Sequence, residues 1–346
     1  MHGVTLTLEA DYAPLMAYAA EHLGGMVGPP HANPDLVVKC VWSRDEWDPQ
    51  FNPFAGNGRL NVIGKRMLGN NDELIWLNTV RKKGLQLRFR REQNQYLFEV
   101  AYSFHPKQDK LKDLPEYEYK SYFSLMSYLV YYPLMWHLET FHGWTPLHAS
   151  ALATSRGGII IGGLGGVGKT TTCVGLMQRK DIELIAENII FTNGKLINPC
   201  SEPIRLDERS LGMLGNRREG LVPMFFPEGL KEKWLFNIKS DAIRENVIPT
   251  VLFLPTFSSQ RYLTPIPPDI AAEKLVAINR LTLELDDYAW YAAALDMTWP
   301  RPGLAERRIQ VLQKLTERIR CFELGVDRSA GVDAVVEDIL KATFAC

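Results

Sequence analysis

The chain has little cysteine and no surplus of either charge. Its five cysteines, Cys40, Cys173, Cys200, Cys321 and Cys346, are spread over 346 residues with no C-x-x-C pair. An odd, scattered set argues against a disulfide framework or a zinc site and points to a reducing cytoplasm. Lys and Arg number 39 against 40 Asp and Glu, for a net charge of -1. That balance argues against a protein that coats nucleic acid or an anionic membrane. It leaves room for one local anion site, because aimed backbone amides and a single Lys hold a phosphate without changing the total. There is no internal repeat and no low-complexity tract. The N-terminus, Met1-His2-Gly3-Val4-Thr5, has no basic region followed by an apolar one, so no signal peptide is expected.

Long uninterrupted apolar runs are also missing. The nearest approach is Tyr122 to Leu138, which carries no Asp, Glu, Lys or Arg but contains Ser124, Ser127, Pro133 and His137. With Lys120 and Glu139 close on either side, the segment reads as a buried aromatic-rich helix rather than a membrane span.

What is present suggests two domains, given the length. Residues 1–115 read as a strand-rich α+β unit. Tyr12 to His22 has a helical pattern. Leu36–Trp42, Leu60–Ile63, Glu73–Leu77, Leu85–Arg90 and Tyr96–Tyr102 have strand patterns, the last two joined as a hairpin through Arg91–Gln95. The turn-rich stretch Asp48–Gly58 reads as a loop. Residues 81–91 (RKKGLQLRFRR) hold six basic side chains and no acid. The run is either a docking face for an acidic partner or, as its alternation favours, a strand with Leu85, Leu87 and Phe89 inward and the Arg side chains in water. His105–Lys120, polar with two prolines, is the expected linker to a second domain spanning 121–346.

In that second part, Gly157–Gly162 is a short β-branched run that leads directly into Gly163-Leu164-Gly165-Gly166-Val167-Gly168-Lys169-Thr170. This fits G-x-x-x-x-G-K-[ST], and Thr171 to Lys180 then reads as a helix, the context that a P-loop needs. Glycines at 163, 165, 166 and 168 let the backbone come close to phosphates. The amides from Gly163 through Leu164, Val167 and Thr171 would form an anion nest at the helix N-terminus. Lys169 would reach the β- and γ-phosphates of ATP, and Thr170 would ligate Mg²⁺. A cation at a helix N-terminus opposes the macrodipole, so Lys169 needs an anion to explain it.

Downstream, the apolar run Ile182–Ala186 ends at Glu187-Asn188. A carboxylate at a strand end beside a P-loop serves the metal or acts as base, and Asn188 offers a neutral oxygen to Mg²⁺; the plain alternative is a polar strand end turning into solvent. His148 lies 21 residues before Lys169, so two adjacent strands would bring it near the phosphates, although spacing alone does not separate this from a structural histidine.

This array of His148-Ala149-Ser150, the strand 157–162, the glycine loop and Leu184–Asn188 resembles HPr kinase/phosphorylase and its HPr-kinase-like relatives. Their P-loop core is related to that of phosphoenolpyruvate carboxykinase. The resemblance extends over roughly residues 144–346, through Ile248–Leu254 and Ile319–Val326, and does not include residues 1–120. It implies an α/β P-loop kinase core and ATP·Mg²⁺-dependent phosphorylation of a hydroxyl. The acceptor would be a Ser or Thr of a peptide or protein, such as a biosynthetic precursor peptide, or else a small molecule. By position, His148, Lys169 and Thr170 match the family's motif residues, and Glu202-Pro203-Ile204-Arg205 falls where the family often has a Glu and an Arg, with Arg205 able to hold a phosphoryl oxygen or else to form a surface ion pair. The departure is Glu187-Asn188, where many members have two adjacent aspartates. One carboxylate is left, to serve as metal ligand or as base. Two further readings stay open: a nucleotide-binding regulatory module without transfer activity, and a phosphotransferase with another donor such as pyrophosphate. Residues 209–239, with Arg217-Arg218-Glu219-Gly220 and Trp234, read as a substrate loop. The expected partners are a nucleotide and a hydroxyl acceptor, with no nucleic acid and no membrane; a homo-oligomer is left open.

Overall fold

The computed structural model describes residues 1–54, 60–79, 81–92, 95–214, 221–227, 232–236 and 244–345. It is a mixed α/β structure with two large sheets and one small one.

The first sheet uses β1 (Leu6–Ala10), β2 (Leu36–Ser43), β3 (Asn61–Gly64), β4 (Met67–Gly69), β5 (Glu73–Trp76), β6 (Leu85–Glu92) and β7 (Gln95–Ser103), in the order β1-β2-β7-β6-β5-β4-β3. The helix α1 (Ala13–Leu23) lies between β1 and β2, which run parallel, and β2 is also parallel to β7. The β6–β7 hairpin pairs Leu85 with Tyr102 through to Glu92 with Gln95, as the two alternating runs predict. Residues 93–94 of its turn lie outside the described residues, as do 55–59 of the Asp48–Gly58 loop.

The expectation for β6 holds for Leu85, Leu87 and Phe89, which are inward, and for Arg91, which is exposed, but it is corrected at Arg88. β6 is covered on both faces, and Arg88 is only 7% exposed. A guanidinium at that depth needs partners. Arg88 Nε donates to Glu73 Oε1 at 2.6 Å and lies 3.4 Å from Glu99 Oε2. Arg90 pairs with Glu92 and Glu99, Arg81 with Asp286 and Asp287, and Arg91 lies over the Tyr96 ring. The acids that meet these arginines come from β6 itself at Glu92, from the neighbouring strands at Glu73 and Glu99, and from a distant helix at Asp286 and Asp287.

The expected linker His105–Lys120 is also corrected in part. A 3₁₀ turn over Gln108–Asp113 leads into the helix α2 (Leu114–Met126). A π-turn over Ser127–Tyr131 follows, then α3 (Tyr132–Phe141). Pro133 explains the wide turn: it has no N–H for the Leu129 carbonyl and its ring crowds that oxygen, so the preceding turn opens. Leu125, Leu129 and Trp136 of this helical stretch share one apolar cluster with Phe89 and Phe98 of the first sheet. Tyr288 and Tyr291, further along the chain, belong to the same cluster. Trp136 packs edge-on to Phe98 at 5.7 Å, and Tyr291 edge-on to Phe89 at 5.2 Å. The core therefore runs across residues 115–121 without a break. Among the described residues no helix is long and apolar enough to cross a membrane.

The second sheet contains β8 (Thr145–Thr154), β9 (Gly157–Gly162), β10 (Glu183–Ala186), β11 (Ile189–Thr192), β12 (Ile197–Pro199), β16 (Pro249–Phe257), β17 (Tyr262–Pro265) and β18 (Arg320–Val326). Its order is β12-β11-β8-β9-β16-β18-β17, with β10 also pairing with β8. A small sheet joins β13 (Ile204–Leu206), β15 (Trp234–Phe236) and β14 (Leu221–Pro223). Helices cover both faces of the second sheet. Leu147, Ala149, Ala151 and Ala153 of β8 pack towards α6 (Pro268–Leu281) and α8 (Leu304–Thr316). Leu152 packs with α4 (Lys169–Met177) and α9 (Gly331–Phe344). The two-residue period of the strand then turns His148 and Ser150 to the α4 side. The remaining helices are α5 (Glu208–Met213) and α7 (Leu283–Asp296), the latter carrying Tyr288 and Tyr291.

Candidate functional site

The order strand, glycine loop and helix expected from the sequence is present: β9 ends at Gly162 and α4 begins at Lys169. Between them Gly163, Gly166 and Gly168 take φ of +152°, +83° and +91°. Gly168 is the left-handed residue just before α4, a conformation that favours glycine because it has no Cβ. The loop between them carries Leu164, which is 42% exposed, Gly165 and Val167.

Lys169 curls back into this loop. Its Nζ donates to the carbonyls of Gly163 at 2.8 Å and Leu164 at 3.0 Å, and the residue is 7% exposed. Burial lowers its pKa, and Glu187 and Glu284 partly offset the effect. The next residue, Thr170, donates from Oγ1 to Glu187 Oε1 at 2.5 Å. Thr171 Oγ1 lies 3.4 Å from Ser210 Oγ of α5, which ties the start of α4 to its neighbour.

The position of Glu187 comes from a break in strand pairing. β10 and β11 both pair with β8, Ala186 opposite Ala151 and Ile189 opposite His148. Glu187-Asn188 occupies the gap, and the fully buried Ser150 donates to the Glu187 carbonyl at 2.5 Å. Burial raises the pKa of Glu187, outweighing the Thr170 hydrogen bond and the cations Arg205 and Lys169. Asn188 donates from Nδ2 to Glu202 Oε1 at 2.8 Å. Burial pushes the Glu202 carboxyl up to about 7, against the pull of Arg205 and Asn188. Arg205, on β13, donates to Glu284 Oε1 at 3.0 Å and lies 5.8 Å from the Phe123 ring. Burial would raise the Glu284 carboxyl, but Arg205 overcomes it and holds the pKa below the usual range.

His148 sits at the β8 end of this group, 5% exposed, and among the described residues neither Nδ1 nor Nε2 has a hydrogen-bond partner. Burial, then Lys169, lowers its pKa to about 4, so the ring is neutral at pH 7. Burial likewise lowers His22 and His137 to about 4. The unfolded chain binds protons at these three sites from about pH 6.5 downward, and the folded chain does so only near pH 4. These three rings lower stability as pH drops from about 6.5 to 4, whereas the Glu202 and Glu187 carboxyls, both raised by burial, act in the opposite direction because the folded chain takes up their protons more readily. Urea unfolding at stepped pH checks this. Set against wild type, His137→Gln is expected to lose less stability between pH 6.5 and 4, and an identical pH dependence would mean that this ring is protonated in place.

All five positions expected to carry chemistry, His148, Lys169, Glu187, Asn188 and Arg205, fall in one region linked by these contacts and mutual charge effects. Sequence reasoning missed Glu284 and His22, which come from α7 and α1 and carry no local motif. It also gave Glu202 no role of its own, although the residue was part of the Glu202–Arg205 segment. In the expected substrate loop, Ser210 N donates to Asp207, the residue that caps α5 from just outside the loop, at 2.9 Å, and Trp234 lies on β15. Arg217–Gly220 lie outside the described residues.

Two cavities meet at Glu202. One of about 660 Å³ is lined by Glu187, Cys200, Glu202 and Phe236 among others. The other, about 280 Å³, is lined by Glu202, Arg205, Glu284, His22, Tyr131 and Lys82 among others. The arrangement therefore offers a glycine loop with a buried ammonium at its base, a hydroxyl–carboxylate pair, and a second carboxyl near neutrality facing an open space.

No protein-family model matches the chain, and no curated protein matches it. Among solved structures, it has a distant similarity to the Hpr(Ser) kinase/phosphatase from Coxiella burnetii, at 10% identity, over 57% of this chain and 89% of that one, with a TM-score of 0.28.

Proposed function

We propose that the chain is an ATP- and Mg²⁺-dependent phosphotransferase that phosphorylates a hydroxyl group. The observation that carries this reading is the Thr170–Glu187 contact beside Lys169 at the start of α4. The loop amides and Lys169 bind the phosphate chain and stabilise charge on the transferring group. A hydroxyl and one carboxylate are a donor set that suits Mg²⁺, which completes its shell with phosphate oxygens and water. Bound ATP·Mg²⁺ would supply the phosphoryl group.

The hydrogen bond from Thr170 commits Glu187 to the metal. Asn188 cannot take a proton. The proton of the acceptor hydroxyl then goes to Glu202, held by Asn188 and near neutrality in pKa. Arg205 orients Glu202 and Glu284 and faces the smaller cavity, where the acceptor hydroxyl would sit. His148, neutral and without a hydrogen-bond partner among the described residues, serves as a donor to a phosphoryl oxygen. The acceptor is a Ser or Thr in a peptide or protein, or a small molecule.

The test is transfer of label from γ-labelled ATP to an acceptor panel and to cell extract. Glu187→Gln is expected to raise the Mg²⁺ needed for half-maximal transfer by about tenfold or more, the usual scale for loss of a ligand-supporting group. Mg²⁺ dependence equal to wild type would remove Glu187 from the metal. Nucleotide binding without transfer to any acceptor would favour a regulatory nucleotide-binding module.

A further inference from the structure

A third cavity, of about 350 Å³, opens beside the smaller of the two at Glu202, and Lys82 and Ser124 line both. Its walls hold Lys82, Lys83, Lys107, Lys110 and Lys120, with His105, against a single acid, Glu46. Among the described residues none of these five lysines forms an ion pair with a carboxylate. The arginines of the same stretch are placed differently: Arg81 pairs with Asp286 and Asp287, Arg88 with Glu73 and Arg90 with Glu99, while Arg91 lies over the Tyr96 ring.

Lys82 is the clearest case. Its ammonium donates to Ser124 Oγ and lies 4.9 Å from the Tyr102 ring centroid, with neither partner carrying a charge. Burial, then Lys120, lowers its pKa to about 8. An ammonium in that setting costs free energy until an anion meets it. The turn that presents Lys82 and Lys83 is built for the position. Gly84 takes φ +80°, and a Cβ there would come within 2.6 Å of the Ser103 carbonyl, so the chain closes against β7 as no other residue allows. Lys120 comes from α2, and Lys107 and Lys110 from the turn before it. Three separate segments thus bring like charges together around one space, an arrangement that self-repulsion opposes unless an anion fills it.

We infer that this cavity binds a multiply charged oxyanion, a phosphate or clustered carboxylates, carried by the molecule that offers its hydroxyl at Glu202. The link to the hydroxyl rests on the phosphotransferase reading above; the anion site does not. Lys82 and Ser124, which are hydrogen-bonded to each other and line both cavities, set the anionic group next to the space for the hydroxyl. The substrate class is then an anionic hydroxyl compound or an acidic or phosphorylated Ser/Thr peptide, and neutral hydroxyl compounds are excluded.

The experiment saturates the protein with Mg²⁺ and a non-hydrolysable ATP analogue, so that probes do not compete for the glycine loop. O-phosphoserine and a tri-aspartate peptide are then titrated calorimetrically, separating phosphate from carboxylate recognition. The comparison variant is Lys107→Glu with Lys120→Glu; both side chains are exposed, so the fold should be retained, as a thermal melt would verify. At least one probe is expected to bind wild type at least tenfold more tightly than the variant, and to weaken as salt is raised. Equal binding of both probes to the two proteins overturns the site. A Lys169→Ala variant that loses nucleotide but keeps the probe would leave the anion site standing alone. Transfer to neutral hydroxyl compounds as efficient as to their phosphorylated or carboxylated counterparts overturns the link to the acceptor.

Discussion

Lys169→Ala is expected to lower kcat/KM for phosphoryl transfer by at least about a hundredfold, the scale seen when one preorganised donor is removed from a transition-state site. It should also weaken nucleotide binding measurably. The reason lies in where the ammonium sits. It is buried at the base of the glycine loop and held by the carbonyls of Gly163 and Leu164, so its aim is set before any ligand arrives. Burial lowers its pKa, but Glu187 and Glu284 act against that shift. Isothermal titration with ATP·Mg²⁺ and a coupled transfer assay read the two effects separately. A Lys169→Ala protein that binds nucleotide as wild type does would remove the glycine loop from the site and overturn the proposed function.

Glu202→Gln is expected to leave nucleotide binding within about twofold of wild type while lowering kcat by roughly 10²- to 10⁴-fold, the usual contribution of a positioned general base. Gln keeps the shape and still accepts from Asn188, so the change removes proton acceptance and little else. The pH profile gives the sharper reading. A base must be ionised to work, and the Glu202 carboxyl is pushed up to about 7. Wild-type kcat/KM, which reports the free enzyme, should therefore fall about tenfold per unit as pH drops below about 7. The residual activity of Glu202→Gln should lack that limb. If the limb survives in Glu202→Gln and disappears in Glu187→Gln, the two carboxylates exchange roles.

The parts of the site that were legible in the sequence are local ones. Glycines followed by Lys169 and Thr170, a β-branched run before them and a helical run after them are read from adjacent residues, and the structure has them in that order. The strands of the β6–β7 hairpin were legible for the same reason. The fate of Arg88 was not. Its alternation with Leu87 and Phe89 suggested water, but Glu73 and Glu99 arrive from neighbouring strands and a second layer covers the face. The stretch at 105–120 looked like a linker because it is polar and has two prolines. Pro115 stands in the first turn of α2, where a missing N–H costs nothing, so the same residue that suggested a break starts a helix.

The sequence by itself determined the strand–glycine loop–helix element, the local repeats of apolar residues and the single carboxylate where a pair of acids is the more familiar pattern. Each follows from backbone geometry and period, which act over a few residues. Only the tertiary structure decided that Glu202 stands against Asn188, that Glu284 from α7 restrains Arg205, that the core crosses residues 115–121, and that five lysines share one cavity. Charge pairing and burial depend on which distant segments share a space, and low-dielectric surroundings magnify what each neighbour does to the next. A carboxyl near neutrality at Glu202 is a property of that enclosure, written in no single stretch of the chain.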